Sequence, residues 1–250
     1  MQDANGGRLQ EKVERIRQRY ARRKSGCYYS LLEEYALRVA QEKERAITRW
    51  IRECDIAPID TRSVLEIGCG GSGNLLDFIR LGFRPGNLAA NDLLEDRCAA
   101  ARRRLPVATR MFCCDAAELD LPAKSYDVVL QFIVFTSILD DSFQQNLADR
   151  MWTLLKDGGG ILWYDFVYNN PKNSDVRGIP VWRVRQLFPN AICRTWRVTL
   201  APPIGRRVTR LFPSFYGLVN FLFYLRTHVM CWLKKPAIRV CERFTNMAPG

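Results

Sequence analysis

Five short apolar runs, Val64 to Ile67, Leu88 to Ala90, Arg110 to Cys114, Val128 to Val134 and Ile161 to Phe166, are separated by stretches long enough to hold a helix each. Parallel strands need such crossovers, because a tight hairpin cannot return a chain to the same end of a sheet. The alternation therefore predicts an α/β chain with a mostly parallel sheet and flanking helices. One crossover marks its own start: Ser142 and Gln145 fit a capping box, with Phe143, Leu147, Met151, Leu154 and Leu155 supplying the buried face. Lys156-Asp157-Gly158-Gly159-Gly160 then reads as a turn into the next strand.

Upstream, Leu32, Tyr35, Ala36, Val39, Ala46, Ile47, Trp50, Ile51 and Cys54 recur at three- and four-residue steps, which predicts an amphipathic helix docked on the sheet. Pro58 and Asp60 end it in a turn before the first strand. Residues Arg8 to Lys24 form a basic run with a narrow stripe of Val13, Ile16 and Tyr20, either a surface helix or a solvated arm. The expected organisation is a helical extension over 1–55 and one large domain over 56–250.

The chain carries a formal charge of +12, which favours anionic partners without choosing among nucleic acid, phospholipid and phosphorylated small molecules. Nine cysteines, an odd number without a C-x-x-C pair, read as reduced thiols of a cytoplasmic protein. The opening residues lack the pattern of a secretory signal. Leu211 to Leu233 is apolar but broken by Pro213, Arg226 and His228, too interrupted to span a bilayer yet compatible with peripheral contact at the inner membrane face.

The segment richest in chemistry is Val64-Leu65-Glu66-Ile67-Gly68-Cys69-Gly70-Gly71-Ser72-Gly73, a strand running into a glycine loop and a helix from Asn74. Glycines there permit a tight turn and let a ligand lie against bare backbone. The spacing of Gly68, Gly70 and Gly73, with Asp92 after the next strand, also fits a dinucleotide-binding dehydrogenase, but that motif alone is weak. The fuller order is Glu66-x-Gly68-x-Gly70, Asp92, Asp115-Ala116 after a third strand, Tyr126-Asp127-Val128-Val129 opening a fourth, and a glycine-rich turn before a fifth. Over Ser63 to Phe166 that order resembles class I S-adenosylmethionine-dependent methyltransferases of the methyltransferase type 11-like kind. The resemblance implies a Rossmann-like seven-stranded sheet, with Trp196 to Leu200 as sixth strand and Val229 to Leu233 as seventh. It implies S-adenosylmethionine as cofactor. Glu66 and the Gly68 to Gly73 loop would hold its methionine part, and Asp92 its ribose hydroxyls. Asp115 would take the adenine amino group, Ala116 would lie beside the ring and Leu93 against its face. Asn91 and Asp157 depart from the family's commoner wording, a small hydrophobic residue and a proline.

Methyl transfer is a displacement at carbon that asks mainly for alignment, and for a base only if the acceptor loses a proton. His228, the only histidine, and Asp165 are the candidate bases. No metal site is expected, although Asp140, Asp141 and Asp165 with Asn169 or Asn170 would suit a metal-assisted alternative. Trp163-Tyr164-Asp165-Phe166, Asn169-Asn170-Pro171, Asp175-Val176-Arg177-Gly178, Leu187-Phe188-Pro189, Thr199-Leu200-Ala201-Pro202-Pro203 and the ending from Arg226-Thr227-His228 to Lys235-Pro236 resemble bacterial polysaccharide-cluster methyltransferases. That second resemblance implies O-methylation of a glycan or a related small-molecule or lipid-linked acceptor, an anionic one suiting the charge. Lipid, quinone or secondary-metabolite methylation stays open, with RNA a more distant alternative because no RNA-binding module is recognisable. The long connection over 201–226, basic first and aromatic after, is expected to act as an acceptor lid. Oligomeric state is not legible in the sequence.

Overall fold

The computed structural model describes Glu14, Gln18, residues 30–171 and residues 173–237. The rest of the Arg8 to Lys24 run, with Tyr28 and Tyr29, lies outside the described residues.

The chain builds one seven-stranded sheet in the order β3-β2-β1-β4-β5-β7-β6. β1 (Val64–Ile67), β2 (Leu88–Asp92), β3 (Arg110–Cys113), β4 (Tyr126–Phe132) and β5 (Leu155–Phe166) run parallel. β7 (Arg226–Lys234) lies antiparallel between β5 and β6 (Ile192–Leu200). This is the Rossmann-like seven-stranded sheet that the resemblance implies, and its switch point falls between β1 and β4, where ligands settle beyond the strand ends.

Helices cover both faces because the central strands bury both. α1 (Glu34–Glu53) and α2 (Gly73–Leu81) lie on one side with α3 (Glu95–Arg104). α4 (Asp141–Leu154) and α5 (Val181–Leu187) lie on the other. α1 buries Ala46, Ile47 and Trp50, the stripe legible in the sequence, and the Trp50 ring packs 5.2 Å from Trp232 and 6.1 Å from Phe78. Truncating so large a buried ring costs about 3–5 kcal/mol, so α1 is part of the folded domain and not an appendage.

Three local expectations are corrected. The N-cap of α4 is Asp140, whose Oδ1 accepts from the Phe143 amide at 2.8 Å and from the Ser142 hydroxyl at 2.6 Å. Ser142 thus lies inside the first turn, and Gln145 bonds Asp149 down the helix rather than back to a cap. The glycine run before the fifth strand is no turn: Leu155 already pairs with Tyr126, and the register shifts before Gly160 meets Val128. The chain accommodates its extra residues as a bulge. β4 ends at Phe132 rather than Val134, because Ile133 takes a left-handed backbone with φ 61°.

The connection between β6 and β7 folds into α6 (Pro202–Leu211) and α7 (Tyr216–Phe221). α6 seats on α1 at Gly205, where a Cβ would come 2.2 Å from the Tyr35 ring. The Tyr35 hydroxyl donates to the Leu200 carbonyl at 2.9 Å, closing the same joint.

Candidate active site

One register row crosses the sheet through Asn91, Ile67, Gln131, Trp163, Cys231 and Thr195. Gly68, Asp92, Tyr164, Asp165, His228 and Thr199 all lie beyond that row, at the carboxyl end of the parallel strands. The row explains why residues far apart in sequence share one rim.

β1 delivers Glu66 and then a loop with Gly68 at φ 67° and Gly70 at φ 52°. A side chain at Gly68 would collide with Val134, 2.6 Å from the added Cβ, so both backbone and space require glycine. Ser72 caps the loop in a left-handed conformation, and a Cβ on Gly73 would meet nothing within 4 Å. At Gly73 the first turn of α2 therefore faces open space. Asp92 ties the loop down: its Oδ2 accepts from the Gly70 amide at 2.8 Å and its Oδ1 from the Leu94 amide at 3.0 Å. A carboxylate has about four lone-pair sites, so two remain for a ligand's hydroxyls.

Glu66 is fully buried. Its Oε1 accepts from Asn74 Nδ2 at 2.6 Å, and Asn74 Oδ1 in turn accepts from Lys43 Nζ of α1 at 2.6 Å. Its Oε2 has no partner, nor does the buried Ser72 hydroxyl. Burial pushes the Glu66 carboxyl up to about 8, more than Asn74 and Lys43 draw it down. An orphaned buried carboxyl oxygen beside an open helix N-terminus fits the ammonium and carboxylate ends of an amino-acid moiety.

Asp115 caps the short 116–118 turn, accepting from the Ala117 amide at 3.0 Å, with Ala116 buried beside it and Leu93 half-buried across the rim. Asn91 is explained as well: its Nδ2 donates to the Cys114 carbonyl at 2.9 Å and fixes the chain leading to Asp115. Asp157, the other departure, accepts from Lys124 at 2.7 Å, far from the rim in sequence and role.

The candidate bases face opposite sides of the sheet. His228 pairs with Phe166 in register and stacks on Tyr164, ring centroids 5.2 Å apart. Its Nδ1 lies 3.2 Å from the Thr227 hydroxyl, and burial holds the imidazole down at about 4, so it is neutral at neutral pH. Asp165 has no exposed surface; it accepts from the Phe166 amide at 3.2 Å and the Thr136 amide at 3.4 Å. Burial raises its carboxyl to about 7. The structure thus does not bring the two together as a pair.

Around His228 gathers a group that sequence reasoning missed. The Tyr164 and Thr199 hydroxyls share a 2.7 Å hydrogen bond, and the Thr199 amide donates to Glu42 Oε2 of α1 at 3.0 Å. Glu42 Oε1 and the Tyr216 hydroxyl of α7 are buried without a hydrogen bond of normal geometry. Burial raises the Glu42 carboxyl, partly offset by the nearby Tyr216 hydroxyl, the Thr199 amide and Arg226. Thr199 sits at φ 64° and Ile133 at φ 61°, a costly backbone for β-branched residues that persists only where the surrounding structure holds it. Those two angles are the backbone signal of the site, and sequence carries no trace of them.

The residues of the metal-assisted alternative are engaged separately. Asp140 is spent as the α4 cap, Asp141 pairs with Arg177, and Asn169 Oδ1 accepts from the Gly178 amide at 2.9 Å. Among the described residues, only Glu95, Cys98 and Cys113 cluster with ligand spacing.

Residues 64–159 match the family described as a methyltransferase domain. No curated protein matches the sequence. Among solved structures, a SAM-dependent methyltransferase from Archaeoglobus fulgidus is 16% identical with a TM-score of 0.54, covering 80% of this chain and 99% of that one. The phosphoethanolamine N-methyltransferase 2 of Haemonchus contortus, solved in complex with S-adenosyl-L-methionine, is 16% identical at TM-score 0.55, with 78% and 52% covered. The [4+2]-cyclase SpnF is similar at 12% identity and TM-score 0.56, with 79% and 82% covered. These likenesses are of fold. The family match covers residues 64–159, which hold the glycine loop, Asp92 and Asp115.

Proposed function

We propose that this chain methylates a hydroxyl group of a glycan, or of a related small-molecule or lipid-linked acceptor, held at the rim between Ile133, Tyr164, His228 and the connection over 201–226. The observation that carries the reading is the strained, polar cluster at Thr199, where Glu42, Tyr164 and Tyr216 gather beside the Tyr164 ring on which the neutral His228 imidazole stacks. Aromatic walls with buried acceptors and hydroxyls suit a polyhydroxylated ring, which offers C–H faces for stacking and O–H groups for pairing.

The cofactor supplies an activated methyl group on a sulfonium centre. Everything else falls to the protein. Glu66, Ser72 and the open turn at Gly73 receive the amino-acid end, Asp92 the ribose hydroxyls, and Asp115 with Ala116 and Leu93 the adenine. Tyr216 and Glu42 orient the acceptor hydroxyl, and His228 takes its proton while the Nδ1 side is held by Thr227. A low pKa does not disqualify this base. An oxygen that has gained a methyl group while keeping its proton is far more acidic than any side chain, so a neutral imidazole accepts that proton late in the transfer. Asp165 serves instead to hold the turn over residues 133–137, which follows Ile133 at the rim.

The test is release of S-adenosylhomocysteine across a panel of glycans, quinones, phenols and RNA. Turnover with a hydroxylated glycan, depressed about 100-fold or more in His228→Asn at unchanged cofactor affinity, supports the reading. Turnover confined to RNA or to amines, or a His228→Asn variant as active as the parent, overturns it.

A further inference from the structure

The β6–β7 connection buries little of what it carries. Leu218 is 67% exposed, Phe221 79% and Tyr224 77%, and Leu211, Phe212, Phe215, Leu222 and Phe223 are each about half exposed or more. Only Tyr216 of this stretch turns fully inward. Single exposed apolar side chains are ordinary, but eight within fourteen residues are a concentration that a water-exposed segment does not keep without a use. Two aromatic pairs lie within it, Phe212 edge-on to Phe215 at 6.0 Å and Phe223 tilted against Tyr224 at 3.7 Å.

Along the chain the charge flanking this surface has one sign, while in space Glu33 and Glu34 share a concavity with Arg206, Arg207 and Arg210. No aspartate or glutamate stands between Asp175 and Glu242, while that interval holds twelve lysines and arginines. On α6, immediately before the apolar stretch, Arg206, Arg207 and Arg210 are exposed, and neither Arg207 nor Arg210 forms an ion pair among the described residues. Among the described residues no helix is long and apolar enough to cross a membrane. Short helices with exposed aromatics on one side and arginines alongside match an interfacial mode of binding, in which rings sink to the headgroup level and guanidinium groups pair with phosphates.

We propose that this surface docks the chain on an anionic lipid bilayer, with Leu218, Phe221 and Tyr224 inserted at the interface and Arg207 and Arg210 set against the lipid phosphates. The docked face is the outer side of the same connection whose inner side carries Tyr216 into the cluster at Thr199. Docking therefore sets the mouth of the site against the membrane surface. The inference does not depend on which acceptor the enzyme methylates, since it concerns the free protein and lipid alone.

The experiment is co-sedimentation of the full chain, without cofactor or acceptor, with vesicles of mixed phosphatidylglycerol and phosphatidylcholine and with vesicles of phosphatidylcholine only. Binding to the anionic vesicles, weakened in high salt and on the neutral vesicles, is expected. Replacing Leu218, Phe221 and Tyr224 together with serine should lower partitioning about tenfold or more. Arg207→Glu with Arg210→Glu should do the same on anionic vesicles while leaving the apolar face intact, so the proposal stays tested if the serine variant does not fold. Absence of vesicle binding, or binding unchanged in both variants, overturns the proposal. So does a concentration-dependent dimer, seen by light scattering, that the serine variant dissolves, because the surface then belongs to a second copy of the chain.

Discussion

Asn74 Nδ2 donates to Glu66 Oε1 at 2.6 Å, tying the end of β1 to the first turn of α2 and leaving Oε2 of the same carboxyl without a partner. The consequence is a proton. With its carboxyl pushed up to about 8, Glu66 is protonated at neutral pH in the free protein, whereas a bound ammonium favours the carboxylate. Cofactor binding should then release a proton near pH 7, and affinity should rise with pH until about 8, by up to roughly tenfold per unit. Calorimetry in two buffers of different ionisation heat reads the proton directly. Glu66→Gln should abolish both the release and the slope; a parent whose affinity is flat between pH 6 and 8 refutes the assignment.

Asp92 is expected to be costly twice over, since it holds the Gly70 and Leu94 amides before any ligand arrives. Charge-assisted bonds contribute about 1.5–3 kcal/mol each. Asp92→Ala should therefore lower cofactor affinity tenfold or more and also lower the melting temperature. Asp92→Asn keeps one acceptor oxygen and should be milder on stability than on affinity. Equal affinity in the alanine variant and the parent, measured calorimetrically, would remove Asp92 from the cofactor site.

What the sequence made legible was what repeats locally. The strand runs and the α1 stripe are periodic patterns of burial, and both stood within a few residues of their place. The positions of the glycine loop, Asp92 and Asp115 at strand ends were legible because the strands were, whereas the roles expected of them came from the resemblance. Glu42, Lys43 and Tyr216 were not, since each acts across a hundred residues or a crossover: Glu42 meets Thr199, and Lys43 meets Asn74. On α1 both look like ordinary solvated charges. The α4 cap was misplaced because aspartate and serine are equally good caps, and only backbone angles decide which one holds the end.

The buried titrating groups of the rim carry opposite signs with pH. His228, lowered from 6.5 to about 4, binds its proton less well in the folded state; its contribution is present above pH 6.5 and lost as pH falls toward 4. Asp165, raised from 3.8 to about 7, holds a proton the unfolded chain has given up, so stability declines as pH rises between those values. Each group acts with a slope of at most about 1.4 kcal/mol per pH unit. Thermal melts from pH 4 to 7 should show Asp165→Asn gaining on the parent as pH rises, and His228→Gln gaining as pH falls. Parallel curves for parent and variants would mean that neither group is titrating in the buried state.

The joint between α1 and α6 offers the sharpest separation of acceptor from cofactor. Gly205 leaves room for Tyr35, whose ring atom lies 2.2 Å from where a Cβ would stand, and the Tyr35 hydroxyl holds Leu200 at 2.9 Å. In Gly205→Ala either helix must shift or the ring must swing, and overpacking of this kind costs about 1–3 kcal/mol. The displaced element is the connection that carries Tyr216, while Glu66 and Asp92 stand on β1 and β2 and Asp115 just beyond β3, on the other side of the switch point from β6 and β7. Acceptor KM should therefore rise several-fold with cofactor affinity within twofold of the parent, and the 201–226 connection should become more sensitive to limited proteolysis. Tyr35→Phe keeps the ring and removes only the Leu200 hydrogen bond, so it should show the same direction at smaller size. If Gly205→Ala weakens cofactor binding as much as acceptor binding, the connection is not a wall of the acceptor niche alone, and α1 transmits the disturbance to Lys43, Asn74 and Glu66.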